Sequence, residues 1–314
     1  MSAHQAAKQG LENLRRSAKM RAMRHRFIFV SVSILSACAT ASVTPPNRAE
    51  VVRPPTPFAH PDLVESSGVA VSQRHPGVLW THNDSGNEPL LFATDTLGRD
   101  FGATVVLGAE NLDWEDLAIG PCGSTVCLYV GDTGDNREVR PSVTLYRVRE
   151  PALGAASTEP AEQLELRYPD GAHDAEAMYV DARGDLYLIT KGRSRGVLLY
   201  RVRQEAWASG VTLAEALGSL PIDPQGTVFN MVTGADIDSG DGLVVLRTYR
   251  EIYIFSRAPD GTMASRVPLK VCDIAGLESQ GEGIAWLDDT RLILTSEEGN
   301  LGPGTVTILN CPDP

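Results

Sequence analysis

Several catalytic signatures are missing from this 314-residue chain. It has no Gly-x-Ser-x-Gly elbow, no His-Glu-x-x-His pair and no P-loop, so the hydrolase nucleophile, the zincin helix and the Walker phosphate cradle are excluded as read from motif. Cationic residues are also scarce: 28 Lys and Arg face 40 Asp and Glu, giving a formal net charge of −12. That balance argues against nucleic acid and against anionic membrane surfaces as partners. The apolar run Phe27 to Leu35 is too short to span a bilayer.

What that run does carry is a leader pattern. Arg21, Arg24, His25 and Arg26 precede it and Leu35-Ser36-Ala37-Cys38 follows, which reads as a secretory signal with a bacterial lipobox and lipidation at Cys38. A start at Met23 would make the leader compact. Residues 1–37 are therefore expected to be removed, leaving an exported chain tied to the cell envelope through lipid alone, facing the periplasm from the outer membrane. They hold seven Lys or Arg and one Glu, so their loss moves the net charge to −18. Residues 38–61 are proline-rich and aperiodic and read as a mobile tether, with 62–314 as the folded domain.

That domain repeats itself five times. Ser67-Gly68-Val69-Ala70, Glu115-Asp116-Leu117-Ala118, Glu176-Ala177-Met178-Tyr179, Ala235-Asp236-Ile237-Asp238 and Glu282-Gly283-Ile284-Ala285 start at steps of 48, 61, 59 and 47 residues. Each precedes an apolar run such as Leu128-Tyr129-Val130-Gly131-Asp132 or Leu186-Tyr187-Leu188-Ile189-Thr190-Lys191. This spacing and strand-like content predict an all-β chain, a five-bladed β-propeller of four-stranded antiparallel blades, with six blades as the alternative count. Fourth strands are expected at 103–107, 163–168, 227–231 and 265–271, and a helical insertion at 204–217. The fifth repeat runs out of chain, so a segment near Glu50 to Arg53 is expected to complete it, since an open ring leaves unpaired edges.

Apart from Cys38, four cysteines remain in an exported chain. Cys122 and Cys127 flank a tight turn and are expected to pair, leaving Cys272 for Cys311. In a propeller the first residues of the innermost strands gather at the channel mouth. Glu115, Glu176 and Glu282 would crowd there and call for a hard cation, with Ser67 and Ala235 at the two remaining positions of the ring. Loops around the same mouth bring His82, Asp84, Asp132, Asp135, Lys191, Arg193, Arg247, Arg250 and Glu297, a surface suited to an anionic ligand gripped by guanidinium and ammonium groups. His82 and His173 are candidate acids or bases, and Trp80, Trp114 and Trp286 are expected to pack between blades.

Trp114-Glu115-Asp116-Leu117-Ala118, the run Gly131-Asp132-Thr133-Gly134-Asp135-Asn136 and Asp174-Ala175-Glu176-Ala177-Met178 resemble a group of secreted bacterial β-propellers. The layout is similar to the SdiA-regulated family, the esterase-like propellers related to phytase and the calcium-activated apyrases. The resemblance implies a central Ca2+ held by Glu115, Glu176 and Glu282. Two functions follow as expectations: binding of a small or peptidic ligand at the mouth by a monomeric lipoprotein, or calcium-dependent hydrolysis of phosphate or other esters. A purely structural envelope scaffold is the third.

Overall fold

In each repeat the second strand is a run of aliphatic, aromatic and β-branched residues buried on both faces, as in Leu186–Thr190 and Arg291–Glu297. Such strands need cover on two sides, and blades packed around a ring supply it. The computed structural model describes residues 46–224, 227–300 and 302–313; the expected leader and Cys38 lie outside them.

The described chain opens with Asn47–Arg48 (β1) and Glu50–Pro57 (β2). The first blade is Ser66–Val71 (β3), Val78–Asn83 (β4), Leu90–Asp95 (β5) and Ala103–Val105 (β6), and the second is Trp114–Cys122 (β7), Thr125–Asp132 (β8), Val143–Arg149 (β9) and Glu162–Arg167 (β10). Ala175–Val180 (β11), Leu186–Thr190 (β12), Leu198–Val202 (β13) and Glu215–Ser219 (β15) form the third. Between its last two strands the short Val211–Leu213 (β14) lies parallel to β10 of the second blade. Val232–Ile237 (β16), Leu243–Thr248 (β17), Glu251–Ser256 (β18) and Lys270–Asp273 (β19) make the fourth, and Gln280–Trp286 (β20), Arg291–Glu297 (β21) and Thr305–Asn310 (β22) the fifth. The protein is a five-bladed β-propeller. Each inner strand neighbours the next, and β20 returns to β3. Five apolar clusters fill the five gaps between blades; Trp80 and Trp114 lie in the one between the first two blades, and Trp286 packs against that between the last two.

Closure comes from the N-terminus. Strand β2 pairs antiparallel with β22, matching Glu50 with Asn310 and Pro57 with Thr305, and so completes the fifth blade. The expected tether is thus shorter than 38–61: from Asn47 the chain already belongs to the propeller, β1 lying parallel to β19. Proline concealed this. Pro54, Pro55 and Pro57 lack an N–H, which an outermost strand does not need on its free side, and two register shifts absorb them. The helix expected over 204–217 reduces to a 3-10 turn, Gln204–Ala208, before β14 and β15. Residues 227–231 are not the third blade's outer strand but a mouth loop with a 3-10 turn at Val228–Asn230, and the fourth blade's outer strand begins at Lys270 rather than 265.

Both disulfides form as expected, Cys122 with Cys127 across a hairpin and Cys272 with Cys311 between the last two blades. Their separations of 5 and 39 residues give about 2 and about 4 kcal/mol of stabilisation in the chain-entropy model. Replacing Cys272 and Cys311 by Ser should therefore lower the urea-unfolding free energy more than replacing the hairpin pair. The reverse order would show that closure of the ring does not depend on this link.

Candidate functional site at the channel mouth

Antiparallel pairing puts the start of each inner strand beside the end of the second strand: Trp114 faces Asp132, Ala175 faces Thr190 and Gln280 faces Glu297. All five inner strands break register at this same point, between Ser66 and Val69, Trp114 and Leu117, Ala175 and Ala177, Val232 and Gly234, and Gly281 and Ile284. A bulge re-aims the residue it contains. Here the first residue of each bulge is Ser67, Glu115, Glu176, Thr233 or Glu282. At Gly68 the inner strands come so close that a Cβ would sit 2.2 Å from the amide nitrogen of Leu117.

The glutamates meet as expected: Glu115, Glu176 and Glu282 are buried and line one cavity. The fourth blade differs. Thr233, not Ala235, occupies the matching position, and its hydroxyl donates to the carbonyl of Glu282 at 3.1 Å. Ala235 lies two residues further along, paired with Leu246 in the core. Ser67 likewise donates to the carbonyl of Glu115, so both hydroxyls bind neighbouring strands instead of facing the channel.

Two triads of carboxylates share Glu115: Asp84, Asp113 and Glu115, and Glu115, Asp174 and Glu176, each with ligand atoms within 4.8 Å of one another. In the second triad fixed cations already answer the charge, because Lys191 Nζ lies 2.6 Å from Glu176 and Arg193 Nε donates to Asp174 at 2.8 Å. Burial works to lower the Lys191 pKa, but the carboxylates around it outweigh that and keep it protonated. Among the described residues, no cation pairs with the first triad in this way. Glu115 is 6% exposed, and among the described residues no hydrogen bond or ion pair reaches its carboxylate. Burial and then the charge of Glu176 hold its pKa well above the usual range, while burial and then Asp84 raise Asp113 to about 6. Gly134 makes the space: a Cβ there would fall 2.1 Å from Glu115 Oε1 and 2.5 Å from the Asp113 carboxylate. Glu282 is bound differently, by the Tyr249 hydroxyl at 3.1 Å and Gln280 at 3.2 Å.

Three of the four cations expected to grip an anion pair with carboxylates of the fold. Besides Lys191 and Arg193, Arg247 is 1% exposed, paired with Glu278 at 2.9 Å and donating to the carbonyls of Gly283 and Thr295. Arg250 leans toward Asp273 at 3.9 Å and faces solvent. Lys191, Arg193 and Arg247 would cost too much to bury alone, and each pairs with a carboxylate of the fold. Asp132 pairs with Arg140 at 2.9 Å and Asp135 accepts from the Arg140 amide, which fixes the loop carrying Gly134 and leaves neither for a ligand. His82 is fully buried against Trp114, and burial depresses its pKa to about 4, so it is a neutral core residue. His173 is equally buried, bonded to Asp170 and Tyr200. Glu297 lies at the fifth blade's rim, where burial and then Glu282 push its pKa up to about 8.

Asp113 and Asp174 were not singled out from sequence. The signal was there: Asp113-x-Glu115 and Asp174-x-Glu176 share one spacing at the same strand start.

Beneath the mouth two further carboxylates hold the ring. Asp116 accepts the amides of Leu117 at 2.8 Å, Met178 at 2.7 Å and Ala235 at 3.2 Å, joining three blades, and Asp236 accepts that of Trp286 at 2.8 Å. Burial raises the pKa of Asp236 from 3.8 to about 7. The folded chain thus binds this proton more tightly than the unfolded one, and the associated stability is complete below about pH 4 and lost as pH rises through about 7. Asp236→Asn should flatten that decline in urea-unfolding free energy between pH 4 and 8. An unchanged slope would show that Asp236 titrates normally.

No family model matches the chain and no characterised protein matches its sequence. Solved structures similar to it include the PQQ-bound aldose sugar dehydrogenase of Streptomyces coelicolor, at 13% identity over 83% of this chain and 97% of that one, with a TM-score of 0.47. A gluconolactonase of Xanthomonas campestris matches at 13% identity over 86% and 99%, TM-score 0.43, and virginiamycin B lyase of Staphylococcus aureus at 10% over 80% and 68%, TM-score 0.41.

Proposed function

We propose that this propeller holds a divalent cation, Ca2+, between Asp84, Asp113 and Glu115, and binds a small ligand beside it in the mouth. The observation that carries the reading is the gathering of Asp84, Asp113 and Glu115, whose carboxylate oxygens lie within 4.8 Å of one another with no ion pair among the described residues; like charges that close are costly unless a cation shares their site. The donor set is oxygen only, with room made by Gly134, which suits a hard cation. The position differs from the expected Glu115, Glu176 and Glu282 set because Lys191 neutralises Glu176 and Tyr249 with Gln280 satisfies Glu282. When bound, such an ion polarises a carbonyl or phosphoryl oxygen, the chemistry a hydrolase on this face would use. Lys191 stays protonated and fixed by Glu176, so it adds a permanent positive charge to the cavity floor. Two disulfides agree with an oxidising compartment, and with the leader and Cys38 they support a lipid-anchored envelope protein.

Calorimetric titration of calcium into the mature protein should give one site. Glu115→Gln should weaken it at least about tenfold, because affinity follows the charge count of the ligands. Gly134→Ala should weaken it comparably, its new methyl displacing two carboxylates, while the fold survives. In wild type the thermal midpoint should rise with calcium, by about 2.7 kcal/mol of stabilisation at a hundred times Kd. No heat and no shift would refute the cation.

A further inference from the structure

Beside the carboxylates the mouth opens into a cavity of about 790 Å3, within the range of small-molecule sites. Its outer wall is apolar. Val228, Phe229 and Met231 stand on one loop and Ile274 with Ala275 on the facing one. Val228 and Phe229 are each 58% exposed, so the described residues do not cover them. The loop that presents them is held in place: Thr227 accepts from the Phe229 amide at 3.2 Å, Met231 donates to the Val228 carbonyl at 3.1 Å, and Val232 donates to the Lys191 carbonyl at 3.2 Å.

We infer that the ligand of this mouth is an uncharged aliphatic ester, its carbonyl end toward Asp84, Asp113 and Glu115 and its alkyl chain along Val228, Phe229 and Met231. The inference rests on the cation reading for the polar end only. Charge selects against an anion. Three carboxylates exceed the charge of one divalent ion, and Lys191, Arg193 and Arg247 are each committed to a carboxylate of the fold. Arg250 also lines the cavity and faces solvent. Phosphate and carboxylate ligands thus meet three clustered carboxylates, with Arg250 as the solvent-facing guanidinium of the lining to offset them, whereas a neutral carbonyl oxygen brings no net charge for those carboxylates to repel. The apolar wall supplies the rest of the affinity by removing the chain from water.

The test compares methyl hexanoate, methyl acetate, hexanoate and methyl phosphate by calorimetry on the mature protein with calcium present. Methyl hexanoate should bind about tenfold tighter than methyl acetate, roughly half of the full transfer effect of four methylenes because the wall is open on one side. It should also bind at least about tenfold tighter than hexanoate or methyl phosphate. Phe229→Ala, a change at a solvent-facing ring, should remove most of the chain-length gain. Tighter binding of either anion, no binding of methyl hexanoate, or a chain-length gain that survives Phe229→Ala would overturn the inference. Calcium affinity is read in a separate titration, so a wild type that binds methyl hexanoate by chain length without calcium would sink the cation reading and leave the ester inference standing.

Discussion

Glu278→Ala is expected to cost on the order of 3–5 kcal/mol of unfolding free energy, the usual result of removing one partner from a buried ion pair. Glu278 and Arg247 have side chains 3% and 1% exposed and lie 2.9 Å apart. Among the described residues the guanidinium otherwise reaches two carbonyls, Gly283 and Thr295. It lies directly against Gly281, in space that any larger residue there would fill. Removing the carboxylate therefore strands a positive charge between the fourth and fifth blades. Urea unfolding of the variant decides the matter: a loss below about 1 kcal/mol would mean that Arg247 is free to serve a ligand after all.

Asp116→Ala should be comparably severe, about 4 kcal/mol, because three buried amides lose their acceptor and each orphan costs about 1–3 kcal/mol. Asp116→Asn should cost clearly less. Burial raises the Asp116 pKa well above the usual carboxylate range, so the amide replaces a group that already tends to hold its proton, and it keeps one oxygen acceptor. Equal losses for the two variants in urea unfolding would show that charge, not hydrogen bonding, is what the three blades share. Because Asp116 adjoins Glu115 in the same bulge, the alanine variant should also weaken calcium binding.

The propeller was legible because its second strands are dense apolar runs at even spacing, a pattern that burial on both faces imposes. Outer strands were harder. Glu215–Ser219 is mostly exposed and reads Glu-Ala-Leu-Gly-Ser, which has no β-branched or aromatic residue, and Glu50–Pro57 carries three prolines, so local preference pointed away from the pairing that the ring enforces. The three glutamates were found because they recur in register. Their partners were not, because pairing is decided by which side chains meet in space, within the third blade for Lys191 and Glu176 and across two blades for Tyr249 and Glu282. Ala235 was misplaced by two residues, because the fourth inner strand carries Thr233 where three others carry glutamate and the echo there matched its core residues instead.

The most direct test of the central claim is a crystal of the mature protein grown in calcium, with the anomalous difference map calculated at long wavelength. The account predicts a single peak bounded by the carboxylates of Asp84, Asp113 and Glu115, within about 2.3–2.6 Å of their oxygens, with Lys191 still paired to Glu176. A peak on the axis between Glu176 and Glu282, with Lys191 displaced, or no peak at all at the mouth, would contradict it.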